Sequence, residues 1–214
     1  MEKSLLSPLR SSAEIEKLLE AKSDVYAPHL ALAKSYWKSH LKAGDIAIDA
    51  TCGNGHDTLF LSELLLSDPA SSVFSFDIQP DAIQNTEMLL KRHLSPDHFR
   101  RVLLHRRSHL ELNAIPLPFS PRLIVYNLGY LPGGNKSLTT ETDTTLESVK
   151  LSLDLLADDG AISITCYPGH AEGAKEEKAL LAFAETLPSK EWAVCFHRWI
   201  NRPRSPSLLW IAHV

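Results

Sequence analysis

The sequence predicts an α/β fold: a seven-stranded, mostly parallel sheet with helices on both faces, closed by an antiparallel C-terminal hairpin. Three observations carry this. Short β-branched apolar runs alternate with helix-patterned stretches, the mark of parallel strands joined by helical crossovers. The last two apolar runs are separated only by residues 201–206, too short a connection for a parallel return of about a dozen residues. Seven strands and their helices use nearly all of the 214 residues. One domain is therefore expected, with a helical extension over 1–43 and the sheet core over 44–214.

Residues 12–22 and 28–41 carry apolar positions three and four apart and predict two helices ahead of the sheet. The adjacent Tyr36 and Trp37 suit helix 28–41 to covering either the sheet or a partner subunit. The first strand is 45–50 (DIAIDA), followed across a glycine turn by a helix over 56–66. The second is 72–77 (SVFSFD), leading to a helix from 81 to 93 with Pro80 in its first turn, where a missing N–H costs nothing. A short third strand covers 102–106. The fourth, 123–127 (LIVYN), is apolar enough to be buried on both faces. A helix over 144–157 turns through Asp158, Asp159 and Gly160 into strand five, 161–166. A helix over 172–186 and strands over 192–199 and 208–214 complete the chain.

Hydrophobic residues at 44% and charged residues at 22% exclude a disordered or fibrous chain. Twenty-two Lys and Arg against 26 Asp and Glu exclude a broad basic coat for nucleic acid. The arginines are nevertheless concentrated. Arg92, Arg100, Arg101, Arg106 and Arg107 share one window, Arg198, Arg202 and Arg204 another, and no acid follows Glu191. The second window also holds Trp199, so cation and aromatic occur together, as single-stranded RNA binding often requires. Trp192 and Trp210 are expected in the core. Cys52, Cys166 and Cys195 form no CxxC pair, which argues against a disulfide framework or a cysteine zinc site and for a reducing cytosol. The first ten residues read as neither a secretory signal nor a membrane anchor, and a cytoplasmic protein is expected.

The chemistry is expected to centre on 48–58 (IDATCGNGHDT). A strand ends at Asp49 and enters a turn with Gly53 and Gly55 directly before a helix. Such a turn brings backbone close to a ligand and offers free helix amides. Thr58 stands where a dinucleotide fingerprint has its third glycine, which weakens a pyrophosphate reading. Asp77, at the end of strand two, can accept both ribose hydroxyls of an adenosine cofactor. Nicotinamide and S-adenosylmethionine enzymes share that device, but seven strands ending in an antiparallel hairpin resemble the Rossmann-like class I methyltransferases. At the end of strand four, Asn127-Leu128-Gly129-Tyr130 resembles the Asn/Asp-Pro-Pro-Tyr motif of methyltransferases acting on amino nitrogens, with both prolines replaced.

The strings DATCGNGHDTLFL, FDIQPDAIQNT, SHLEL, NLGYLPGGNK and YPGHAEG further resemble the family first described as putative rRNA methylases. That family is better defined by the MnmM-type tRNA methyltransferases, which convert wobble 5-aminomethyl-2-thiouridine to its 5-methylaminomethyl form with S-adenosylmethionine. The match runs from about residue 43 to 173. This resemblance implies that Asn54, Asp57, Asp77, Gln79, Ser108 and His109 line the cofactor site, that a tRNA anticodon stem-loop is the partner, and that the protein forms a homodimer. The final hairpin departs from the expected pattern, with Arg202-Pro203-Arg204-Ser205-Pro206 where a Pro-Pro step is expected.

In such a reaction the amine, with a pKa of about 8 to 9 by analogy with α-amino groups, must lose its proton before attack. Positioning supplies most of the acceleration, on the order of 7 to 11 kcal/mol, and no metal is expected. Asn127, Tyr130 and His170 are the expected catalytic residues, with His56, Tyr130 and His170 the candidate bases. Arg198, Trp199, Arg202 and Arg204 are the expected RNA contacts. Two other readings stand beside this one: a methyltransferase for ribosomal RNA or a small amine, and a non-enzymatic RNA-binding module that retains the cofactor fold.

Overall fold

The computed structural model describes residues 28–131, 133 and 139–214. In chain order these form α1 (Pro28–His40), β1 (Ile46–Asp49), α2 (His56–Leu65), β2 (Ser72–Phe76), α3 (Pro80–His93), the single turn α4 (Pro96–Phe99) and β3 (Val102–His105). A 3-10 segment (His109–Ala114), β4 (Leu123–Asn127), α5 (Thr142–Leu155), β5 (Ala161–Cys166), α6 (Ala171–Ala184), β6 (Trp192–His197) and β7 (Ser207–His213) follow. The expected helix over 12–22 lies outside the described residues.

The seven strands join one sheet in the order β3-β2-β1-β4-β5-β7-β6. The first five pair in parallel, and β7 pairs antiparallel with both β5 and β6. This is the expected α/β fold, with β7 seated inside the sheet and β6 at its edge. Burial explains the placement. The first five residues of β7 are all buried, whereas Ala193, Val194 and Cys195 of β6 are exposed.

Successive side chains of a strand point to opposite faces, so each interior strand feeds two cores. Ile46, Ile48, Ile124, Tyr126, Ile162 and Ile164 pack with Leu112, Val149 and Leu180 on the face covered by the 3-10 segment, α5 and α6. Ala47, Val73, Leu123 and Val125 pack with Trp37, Leu61, Leu65 and Leu90 on the face covered by α1, α2 and α3. Trp37 Nε1 donates to Ser163 Oγ at 2.8 Å, and the Tyr36 ring stacks on Trp210 at 4.9 Å. Of the two possibilities for α1, it covers the sheet.

Two elements have no counterpart in the periodicity. Ser95 caps α4 by accepting from His98 N, and Ser108 caps the 3-10 segment by accepting from Leu110 N. Both are too short for a repeat to register. Helix α5 begins at Thr142, two residues early, because Glu172 on α6 accepts from both Thr142 N and Thr142 Oγ1. The strand order reverses direction between β1 and β4. The carboxyl ends of these two strands form the topological switch point where open α/β sheets bind ligands.

Candidate active site

The loop leaving β1 is tied to both neighbouring strands, with Ala50 N donating to Val125 O and Cys52 N to Phe76 O. Gly53 (φ +52°) and Gly55 (φ +85°) both take the left-handed conformation. A Cβ on Gly55 would lie 2.8 Å from Thr86 Cα, so the close approach there is to the backbone of α3 rather than to a ligand face. At Gly53 the nearest atom to such a Cβ is Leu131 Cδ1 at 3.5 Å. Thr58, in place of the third glycine, has a definite purpose. Its buried hydroxyl donates to Asp49 Oδ2 at 2.6 Å, and Thr51 N donates to Asp49 Oδ1 at 3.2 Å.

Asp49 is fully buried. Burial, with the charges of Asp57 and Asp77 adding to it, pushes its carboxyl up to about 7. The Asp77 carboxylate at the end of β2 is half-buried and oriented from two sides. Gly53 N donates to Oδ2 at 3.1 Å and Gln79 N to Oδ1 at 2.9 Å. Burial raises its pKa, and these amide bonds pull it back. One side chain thus links the β1 loop to the β2 end.

Asn54, Gln79, Ser108 and His109 are half-buried around the ends of the first three strands. Asn54 Oδ1 accepts from Asn85 Nδ2 at 3.0 Å. His109 stands edge-on to Tyr126 at 6.1 Å, and burial pushes its pKa down to about 4, so the ring is neutral at pH 7.

Asn127 ends β4. Its backbone N–H donates to Thr51 Oγ1 at 2.7 Å, and its Nδ2 donates to Asp57 Oδ2 at 3.0 Å. The Asn127 side chain also lies near Tyr167, where it opposes the rise in tyrosine pKa that burial and the Asp57 charge produce. With the amide nitrogen donating to Asp57, the amide oxygen is left as the acceptor for a further group. The Tyr167 hydroxyl also lies 3.5 Å from His29 Nε2 of α1, with the two rings edge to face at 5.7 Å.

Tyr130 is 41% exposed and bridges to Thr139; its ring lies 6.3 Å from that of His170. His170 is the N-cap of α6, with Nδ1 accepting from Gly173 N at 3.1 Å. That bond leaves Nε2 to carry the proton of the neutral ring. His56 is exposed at the first position of α2.

The connection between β6 and β7 lies at the same edge of the sheet, because Ser207 pairs with Cys166. A Cβ on Gly169 would lie 3.5 Å from Arg204 O, so this connection rests against the turn bearing Tyr167 and His170. Arg198, Trp199, Arg202 and Arg204 are all exposed on it, and the Arg202 guanidinium sits over the Trp199 ring at 5.5 Å. Trp210 is buried and Trp192 partly buried against the core, as expected. The first arginine window is spent differently. Arg101 donates to the carbonyls of Leu66, Asp68 and Ser71, while Arg100 pairs with Asp97 and Arg107 with Glu111.

Sequence reasoning missed Tyr167 as a neighbour of Asn127, and His29 as a neighbour of Tyr167. Tyr167 stands in the YPGH string after β5, whereas a histidine on a helix far upstream carries no local signal.

Residues 73–213 match the model of the protein family described as Putative rRNA methylase. The chain is similar to the chloroplastic tRNA (mnm(5)s(2)U34)-methyltransferase of Arabidopsis thaliana, 38% identical over 184 residues that cover 84% of this chain and 67% of that protein. Among solved structures it is similar to one described as a putative rRNA-methylase from Clostridium thermocellum. There the TM-score is 0.81 at 33% identity, covering 87% of this chain and 97% of that one. A structure described as a putative methyltransferase from Streptococcus mutans, in complex with SAH, gives a TM-score of 0.76 at 30% identity, covering 87% and 98%.

Proposed function

The chain belongs to the family described as Putative rRNA methylase and is a methyltransferase, and from that premise we propose that it uses S-adenosylmethionine to methylate the 5-aminomethyl nitrogen of wobble 2-thiouridine in tRNA. The Arabidopsis relative, named for the mnm(5)s(2)U34 position, supports the substrate, and the SAH complex of the Streptococcus relative supports the cofactor. The observation that carries the amine reading is the orientation of Asn127. With its Nδ2 committed to Asp57, its amide oxygen is the acceptor available to an amine N–H.

The residues fit the cofactor. The acids Asp57 and Asp77 flank the glycine loop and suit a molecule that carries a sulfonium and an ammonium. Asp77, held by Gly53 N and Gln79 N, keeps lone pairs for ribose hydroxyls. Gly53, Asn54, Gly55, Asp57, Gln79, Ser108 and His109 would complete that site. When bound, S-adenosylmethionine supplies an electrophilic methyl group on a positively charged sulfur. Asn127 accepts a hydrogen bond from the amine and so aims its lone pair, and Tyr130 offers an exposed ring face to the base. A half-buried site favours the neutral amine by desolvation. The proton leaves to solvent, because His170 beside Tyr130 has its Nδ1 engaged by the Gly173 amide and serves as a wall of the site.

Recognition of the anticodon stem-loop falls to the β6–β7 connection, where Arg198, Arg202 and Arg204 offer charge and Trp199 a stacking surface. By the resemblance of its motifs the protein acts as a homodimer, and its free cysteines suit a reducing compartment such as the cytosol. No helix among the described residues is long and apolar enough to cross a membrane.

The test is mass analysis of wobble nucleosides after incubating the protein and methyl donor with tRNA from cells lacking this methylation, with ribosomal RNA and free amines in parallel. The expected result is a 5-methylaminomethyl product on tRNA alone, lost in Asn127→Ala. Methylation of ribosomal RNA with unchanged tRNA would overturn the reading.

A further inference from the structure

We propose that Glu176, acting through Thr140, is a positioning residue that sets the Asn127–Tyr130 segment for methyl transfer. The inference rests on the reading of that segment as the amine-facing end of β4. Glu176 lies on α6, is 2% exposed, and takes no direct part in the chemistry described above. A carboxylate buried this deeply is costly unless its oxygens are satisfied. Here hydroxyls from two different elements satisfy them. Thr145 Oγ1 of α5 donates to Oε1 at 2.6 Å, and Thr140 Oγ1 donates to Oε2 at 3.0 Å.

The first bond joins two helices and would suffice as a staple between them. The second has a different destination. Thr140 gives its only hydroxyl proton to Glu176, and the same oxygen accepts from Gly129 N at 3.0 Å. Thr140 N in turn donates to Gly129 O at 3.0 Å. The hydrogen bonds therefore run in one direction, from Gly129 amide to Thr140 hydroxyl to Glu176 carboxylate.

The place where this chain of bonds ends gives it consequence. Leu128 N makes the last bond of the segment to β5, donating to Thr165 O. Beyond it the backbone leaves the sheet at Gly129 (φ +109°), a conformation that needs glycine. From there its partners include Thr140, and Thr139 through the bridge to Tyr130. Thr140 thus holds Gly129 from both its amide and its carbonyl, and Thr140 is held from α6 by Glu176. The first turn of α6 carries Glu172, which holds the start of α5 at Thr142, and its N-cap is His170, whose ring faces Tyr130. Helix α6 thus holds the segment after Asn127 through Glu176 and also presents His170 to it.

The test uses the full chain with three variants and the unmethylated tRNA substrate, well below the melting temperature. Thr140→Val keeps the shape and removes the hydroxyl. Thr140→Ser keeps the hydroxyl. Glu176→Gln puts an amide donor where a hydroxyl proton needs an acceptor. The expected result is a kcat at least tenfold lower in Thr140→Val and Glu176→Gln, with SAH affinity by calorimetry within twofold, and Thr140→Ser within threefold of the parent kcat. A Thr140→Val variant with the parent kcat, or Thr140→Ser as impaired as Thr140→Val, would overturn the proposal, whatever happens to melting temperature. Asn127→Ala runs in parallel. If it is inactive while Thr140→Val is fully active, only the positioning role falls; if it too is fully active, the reading of the β4 end falls and takes the positioning role with it.

Discussion

Asp57 Oδ2 accepts a hydrogen bond from Asn127 Nδ2 at 3.0 Å, joining the first turn of α2 to the end of β4. The resemblance of the glycine-loop motif marks Asp57 as a cofactor residue. In the structure it also decides which end of the Asn127 amide is free. A carboxylate accepts and never donates when ionised, so it holds the nitrogen and turns the oxygen outward. Asp57→Asn removes this discrimination, because an amide can pair with either end of its neighbour. The expected outcome is a methyl-transfer rate reduced on the order of a hundredfold, the scale of a small misplacement at a reacting centre. Single-turnover kinetics at saturating cofactor measure it. A variant as fast as the parent would show that Asn127 needs no such orientation.

His170 shows how a site residue can hold a second post. Its Nδ1 caps α6 through Gly173 N, so His170→Ala removes a helix cap as well as a wall beside Tyr130. The cap costs on the order of 1 kcal/mol, which for a chain of this size is about 2 to 4 °C in melting temperature. Asn can accept the same bond. His170→Asn is expected to restore the melting temperature without restoring the methyl-transfer rate, while cofactor affinity stays close to the parent value in both variants. Parent-like rates in the two variants would remove His170 from the active site and leave only the cap.

Much of this arrangement was legible because it depends on local pattern. Strands β4 and β5 coincide with the apolar runs at 123–127 and 161–166, and the pairing of Asp77 with Gly53 follows from a glycine turn and an acid at adjacent strand ends. What was not legible depends on contacts between distant segments. Nothing in the order of residues says that β7 enters the sheet between β5 and β6, since a hairpin pairs the same way on either side. The reason for Gly55 is a helix backbone 31 positions downstream, at Thr86. Thr58 reads as a missing glycine until Asp49 is seen to need its hydroxyl. The five arginines between 92 and 107 look like one patch in sequence, yet Arg101 points at carbonyls of the α2–β2 turn.

The buried Asp49 predicts a particular pH dependence. Its carboxyl is pushed from an ordinary 3.8 to about 7 in the folded protein. Between those values the folded state holds a proton that the unfolded state has released. Its contribution is therefore fully present below the unfolded pKa and is lost as pH rises toward about 7, with a slope of at most about 1.4 kcal/mol per pH unit for one proton. The protonated acid has an outlet, since it can donate to Thr58 Oγ1 while that hydroxyl turns to Ser75 Oγ, 3.1 Å away. Asp49→Asn stays neutral and removes the slope. Urea unfolding from pH 5 to 8 should show the parent losing stability relative to the variant up to about pH 7, then running parallel to it. Parallel curves throughout would place the Asp49 pKa in the ordinary carboxylate range.

The β6–β7 connection makes the last prediction. Trp199 is 42% exposed and Ile200 93% exposed, a costly display for a segment whose only purpose is to turn the chain. The Arg202 guanidinium lies over the Trp199 ring, and Arg204 lies by its backbone against Gly169 at the edge of the site. Each phosphate neutralised by such a cation releases condensed counterions and steepens the salt dependence of binding, by about 0.7 in log–log slope on a single strand. Reversing Arg202 and Arg204 to Glu is expected to weaken tRNA binding and flatten that slope by roughly 1.4 if each arginine meets one phosphate. Cofactor affinity should hold, because both residues belong to the β6–β7 connection, where Arg202 contacts Trp199 and Arg204 the Gly169 turn. Filter binding of tRNA across a range of salt concentrations measures the slope directly. A weaker complex with an unreduced slope would mean that the two arginines shape the hairpin and do not touch the RNA backbone.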